Sequence, residues 1–139
     1  MPVSREDIRG LLTAAREARE NAYAPYSGFK VGAAVLCDSG KVYAGCNVEN
    51  ASYGLTVCAE RIAILKAVSE GERHIKAVAI VTDGPEIARP CGACLQVIAE
   101  FSDENDPVVI ASGNVRLDYD IFDLADYLPR PFHLNKCED

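Results

Sequence analysis

No apolar run in this chain approaches the length of a membrane span, so no membrane-spanning helix is expected. Positive charge is in deficit. Fourteen Lys and Arg stand against 21 Asp and Glu, for a net charge of −7 and a pI near 4.8. Such a chain has no electrostatic reason to bind polyanions, which argues against nucleic-acid and anionic-membrane partners. The opening residues, MPVSREDIRG, have no apolar segment of the secretory type, so a cytoplasmic protein is expected. Repeats, low-complexity stretches and long linkers are missing, and at 49% hydrophobic and 25% charged residues the composition is that of a folded globular chain. Histidine is scarce: His74 and His133 form no H-x-x-x-H pair.

The chain has six cysteines: Cys37, Cys46, Cys58, Cys91, Cys94 and Cys137. Without a secretory signal, a metal or catalytic use is expected for them rather than a disulfide framework. The length of 139 residues suits one domain, 1–139.

Periodicity orders the elements. Residues 4–22 read as a helix capped by Ser4, with Ile8, Leu11, Leu12, Ala15 and Ala18 at helical spacing. Pro25 and Gly28 break it. Residues 30–50 read as two strands about a turn at Asp38-Ser39-Gly40. Residues 58–71 form a helix that is apolar nearly all round, hence buried on several sides. Residues 75–83 form a strand whose β-branched run suits a central place, and 91–101 form a third helix. Residues 107–112 and 115–118 read as strands joined at Gly113-Asn114, and 121–128 as a last helix stopped by Pro129 and Pro131. The order α-ββ-α-β-α-ββ-α predicts an α/β fold, a three-layer α-β-α sandwich with five strands.

Chemistry concentrates at two helix starts. PCGAC places Cys91 and Cys94 as a C-x-x-C pair, and TVCAERIAIL places Cys58 at the head of another helix with Glu60 two residues on. Thiolates bind zinc tightly, and a helix N-terminus lowers thiol pKa. A lone C-x-x-C also fits a redox pair or half of a structural zinc site, and a lone cysteine is most often a small core residue. A structural site wants four protein ligands; Cys37, Cys46, Cys137, His74 and His133 are the candidates for a fourth, none with paired spacing. Three ligands with a fourth position open suit a catalytic zinc. In a regular helix, residues i and i+2 diverge by about 200°, so Cys58 and Glu60 can share a site only if Cys58 is in the cap. Glu60 as a mere complement to the helix dipole fits an exposed carboxylate better than a buried one.

NVENASYGLTVCAER and RPCGACLQV closely resemble the small, zinc-dependent cytidine deaminases, and AYAPYSGFKVGAA, AVSEG and YLPRPF extend the likeness over nearly the whole chain. The resemblance implies the cytidine deaminase-like fold with a mixed sheet. It also implies hydrolytic deamination of cytidine and 2′-deoxycytidine, with one zinc per subunit held by Cys58, Cys91 and Cys94. It makes Glu60 the proton shuttle and gives Arg61 hydrogen bonds to the ligand thiolates. It gives Asn47 and Glu49 the ribose, Phe29 the pyrimidine face, and the backbone near Ala59 and Arg89 the base edge. Tyr53 and Gln96 become site support. The family forms homotetramers in which an aromatic matching Phe132 reaches a neighbouring subunit's pocket; residues 134–139 read as a free tail. Leu95 departs from the arginine frequent after the second cysteine of the pair. Competing readings are a zinc deaminase of another nucleoside, such as blasticidin S, and a structural-zinc interaction module. Polynucleotide deaminases typically carry His as first ligand and a basic surface, and this chain has neither.

Overall fold

The structure, a computed structural model, describes residues 3–83, 87, 89–103 and 105–137. The first helix, α1 (Arg5–Arg19), starts in a capping box: Ser4 Oγ accepts the Asp7 amide, and the Asp7 carboxylate accepts the Ser4 amide, both at 3.0 Å. It ends before residue 22, because residues 20–22 already turn toward the next segment.

Five strands follow: β1 (Val31–Cys37), β2 (Val42–Cys46), β3 (Ile75–Thr82), β4 (Val109–Asn114) and β5 (Tyr119–Asp123). They form one sheet in the order β2-β1-β3-β4-β5. Only β3 and β4 pair in parallel. That pair needs a crossover, and α3 (Gly92–Glu100) supplies it. Between β2 and β3 runs α2 (Ala59–Ser69), and α4 (Leu124–Tyr127) closes the order.

The sheet is covered on both faces. Ile8, Leu11, Leu12 and Ala15 of α1 pack on Ala34, Ala77, Ala79, Val81 and Ala111. Ala63, Ile64 and Ala67 of α2, with Leu95 and Ile98 of α3, pack on Val35, Val78, Ile80 and Ile110. The alternation Ala77, Ala79, Val81 against Val78, Ile80 sends successive β3 side chains to opposite layers. Two glycines let helices approach. A Cβ on Gly32 would overlap the Ala15 carbonyl oxygen and lie 2.7 Å from the Arg19 nitrogen, and one on Gly45 would lie 2.8 Å from the Ala63 nitrogen.

The C-terminal third corrects the sequence reading. Gly113-Asn114 is not a turn but the end of β4, and residues 115–118 are the turn rather than a strand. Gly113 is small because a Cβ there would lie 2.9 Å from Leu12 Cδ2 and 3.0 Å from the Asp118 oxygen. Asn114 holds the turn with its side chain, Oδ1 accepting the Arg116 amide at 3.0 Å and the Asp118 amide at 3.2 Å. The last helix is correspondingly shorter. Residues 121–123 belong to β5, and a capping box of Asp123 and Asp126 starts α4 at Leu124.

Candidate active site

Cys58 is the N-cap of α2, with φ −71° and ψ 154°, and Cys91 is the N-cap of α3, with φ −74° and ψ 168°. Neither side chain bonds its own helix start, so both sulfurs are free to turn to a common point. Cys94 lies in the first turn of α3 and is fully buried. The three sulfurs lie within 4.8 Å of one another, with Cys91 and Cys94 at 3.4 Å. A tetrahedral zinc with Zn–S near 2.3 Å would space its sulfurs by about 3.8 Å, so this donor set fits the ion. Both helix N-termini point positive ends at it.

The cluster is electrostatically prepared. The Cys94 thiol and then the Arg61 guanidinium draw the Cys58 thiol well below its ordinary pKa, against the effect of burial. Cys94 shifts the other way, through its hydrogen bond to Cys58 and through burial. Arg61 Nη2 donates to Cys58 Sγ at 3.5 Å and to the Thr56 carbonyl at 3.5 Å. Glu60 is 5% exposed, and burial, reinforced by the Cys58 charge, pushes its carboxyl above the usual range.

A cavity of about 290 Å³ joins these groups to the substrate-side candidates. Cys58, Ala59, Glu60 and Cys91 form one wall; Phe29, Val31, Asn47 and Glu49 form another; Ser27, Thr56, Ile80, Thr82 and Arg89 complete it. The strand β2 ends at Cys46 rather than continuing to residue 50, but Val48 bridges both Tyr23 and Val57. Asn47 and Glu49 therefore still flank one extended residue and reach one cavity. Each also braces the chain. Asn47 Oδ1 accepts the Val31 amide and Nδ2 donates to the Phe29 carbonyl, both at 2.9 Å. Glu49 accepts the amides of Tyr26 at 2.9 Å and Ser27 at 3.1 Å, and the Ser27 hydroxyl. That hydroxyl, then the two amides, holds the Glu49 carboxyl below its ordinary value.

Cys94 and Arg61 contact the cluster without lining the cavity, and three further expected residues lie away from it. Tyr53 is 77% exposed in a short 3-10 turn and lines an adjacent cleft with Tyr26, Ser27, Glu49 and Thr56. Gln96 faces the C-terminal segment: its Nε2 donates to the Phe132 carbonyl at 2.9 Å and its Oε1 accepts the Phe132 amide at 3.3 Å. The Phe132 residue is exposed. Leu95 is buried in the core between α3 and the sheet, a place with no room for a solvated charge. Of the expected free tail, 134–137 are exposed, and 138–139 lie outside the described residues. Sequence reasoning missed Ser27, Val31, Thr56, Ile80 and Thr82. Nothing local marks the end of β3 as a cavity wall, since that depends on which strand the topology sets beside α2.

The family described as the cytidine and deoxycytidylate deaminase zinc-binding region matches residues 5–111, which include the cysteine cluster. The chain belongs to this family. A cytidine deaminase of Sporosarcina psychrophila is 48% identical over 126 residues, 91% of each chain. One of Halalkalibacterium halodurans is 46% identical over 133 residues, 96% of this chain and 99% of the relative. A crystal structure of the cytidine deaminase of Burkholderia pseudomallei superposes with a TM-score of 0.82 at 45% identity, covering 89% of this chain and 98% of that one. The five-stranded α/β sheet is thus that of the deaminase family, and the zinc-binding region of the family carries Cys58, Cys91 and Cys94 here.

Proposed function

We propose that this chain, acting as one domain over residues 1–139, deaminates cytidine and 2′-deoxycytidine to the uridines with release of ammonia. The observation that carries the reading is a buried carboxylate, Glu60, lining one cavity with Cys58 and Cys91 of a three-sulfur cluster completed by the buried Cys94. Cys58, Cys91 and Cys94 would hold the zinc, which supplies the Lewis acidity that makes hydroxide available from water near neutral pH. Three thiolates on a divalent ion leave one net negative charge; Arg61 and the two helix ends offset it.

Glu60 takes the proton of the attacking water and gives it to N3 of the pyrimidine while the oxygen adds at C4. It then carries the second proton of that oxygen to the exocyclic nitrogen, the C4–N bond breaks and ammonia leaves. Burial suits this double duty, because a carboxyl with a raised pKa gives and takes a proton nearer neutrality. Phe29 packs on the ring, the Ala59 and Arg89 backbone meets the base edge, and Asn47 and Glu49 bind the ribose hydroxyls. Tyr53 and Gln96 support the site, Gln96 by holding Phe132 at the backbone. Four chains assemble, Phe132 of each reaching a neighbour's pocket, and the enzyme serves pyrimidine salvage in the cytoplasm.

The test is ammonia release from cytidine measured beside zinc stoichiometry. Glu60→Gln should keep fold and one zinc per chain and lose about 10⁴ in turnover, the upper end for a general acid–base group, because one group serves two transfers. Turnover near wild type in Glu60→Gln would overturn the mechanism.

A further inference from the structure

We propose that Arg19 is a positioning residue that sets the nucleoside side of the cavity from the far face of the sheet. The proposal rests on the deaminase reading for its kinetic readout, not for its geometry. Arg19 is the last residue of α1, which covers the face opposite α2 and α3. A long cation at a helix end ordinarily reaches into water. This one has a side chain only 9% exposed.

Its guanidinium joins two segments remote in sequence. Nη2 pairs with Asp83 Oδ2 at 2.6 Å, and Nε donates to the Lys30 carbonyl at 3.2 Å; Nη1 also meets the adjacent Glu20 carboxylate at 3.4 Å. Lys30 stands between Phe29 and Val31, and Asp83 follows Thr82; Phe29, Val31 and Thr82 all line the cavity. Asn47 grips the same stretch from within the cavity, at the Phe29 carbonyl and the Val31 amide. The 29–31 backbone is therefore clamped between Asn47 on one side and Arg19 on the other. Arg19 in turn ties that stretch to the end of β3. The guanidinium reaches these two acceptors from separate nitrogens, Nε and Nη2, whereas an ammonium has all its donors on one nitrogen and cannot span the same two positions. Neither contact involves α2 or α3, so the cysteine cluster and Glu60 stand outside the brace.

Arg19→Lys keeps the charge but loses one of the two anchors. It should raise KM for cytidine roughly tenfold, with kcat and zinc content unchanged, as expected when binding common to ground and transition state is lost. Asp83→Ala, which removes the other partner at a position exposed over half its surface, should raise KM in the same direction. The two changes together should add little to either alone. A residue that only stabilised the fold would reduce the active fraction, lowering apparent kcat at constant KM. Amide hydrogen exchange reads the brace without substrate. In both variants the Phe29 and Val31 amides, which donate to Ser27 Oγ and Asn47 Oδ1, should exchange about tenfold faster, while Leu12 and Ala15 in α1 stay protected. Unchanged KM in both variants, or exchange accelerating equally along α1, overturns the proposal. Were wild type to release no ammonia from cytidine, the functional reading would fail and the exchange pattern would decide the brace by itself.

Discussion

Cys58, Cys91 and Cys94 differ from the other three cysteines in setting, not in kind. Cys37 is fully buried in the core, where desolvation pushes its thiol up to about 11, and Cys137 is exposed in the C-terminal segment. Cys91→Ala or Cys94→Ala should therefore lose zinc together with activity, whereas Cys137→Ser keeps both; metal analysis of the purified variants checks this. Zinc loss in Cys137→Ser would mean that the ligand set has been misassigned. Glu49 carries a pH signature of its own. Its folded pKa lies below the ordinary value because the Ser27 hydroxyl and two amides bond the charged form. The stability this gives the 26–29 loop is present above the ordinary carboxylate pKa and is lost as pH falls through the depressed folded value. A carbon-detected titration of Glu49 should give a midpoint below 4.5, moving back up in Ser27→Ala. A midpoint at or above 4.5 in the wild type would show that these bonds do not hold in solution. Glu60 was readable as anomalous from its neighbours, since a carboxylate in an apolar helix needs a use. The bracing by Asn47 and Glu49 was not, because their partners lie 16 to 23 residues away.

At the level of helix and strand, α1 and α2 approach the sheet through glycines. Gly32→Ala would drive a methyl into the α1 backbone, with neither side chain nor rotamer able to yield. It should destabilise the fold by about 3 kcal/mol or more, the upper part of the overpacking range, seen as a fall in the urea midpoint. A change below about 1 kcal/mol would mean that α1 can lift off β1 at little cost. Helix starts and the β1–β2 hairpin were visible in the chain, because caps, turn glycines and periodicity are local. The second hairpin was misplaced because Gly113 answers to Leu12, a residue from the first helix, and no window about Gly113-Asn114 contains that fact.

The assembled molecule leaves Leu55, Leu65, Phe132 and Leu134 exposed by half or more of their surface. A homotetramer would cover such residues, and light scattering should report a mass four times the 15.0 kDa chain. A monomer at working concentration would remove the shared-pocket role of Phe132. The C-x-x-C pair and the carboxylate two residues after Cys58 were legible in the order of residues, because each acts within a turn of helix, whereas the meeting of Cys58 with Cys91 and Cys94 needed two helix starts brought together by the fold. The layered α/β class was legible too, since it follows from the alternation of two periodicities. Which walls close the cavity was decided only by tertiary structure. The strand order β2-β1-β3-β4-β5 sets β3 beside β1, so Phe29, Val31, Asn47, Glu49, Ile80 and Thr82 meet over the starts of α2 and α3. Long-range pairing of that kind is fixed by burial summed over the whole chain, and no local pattern encodes it.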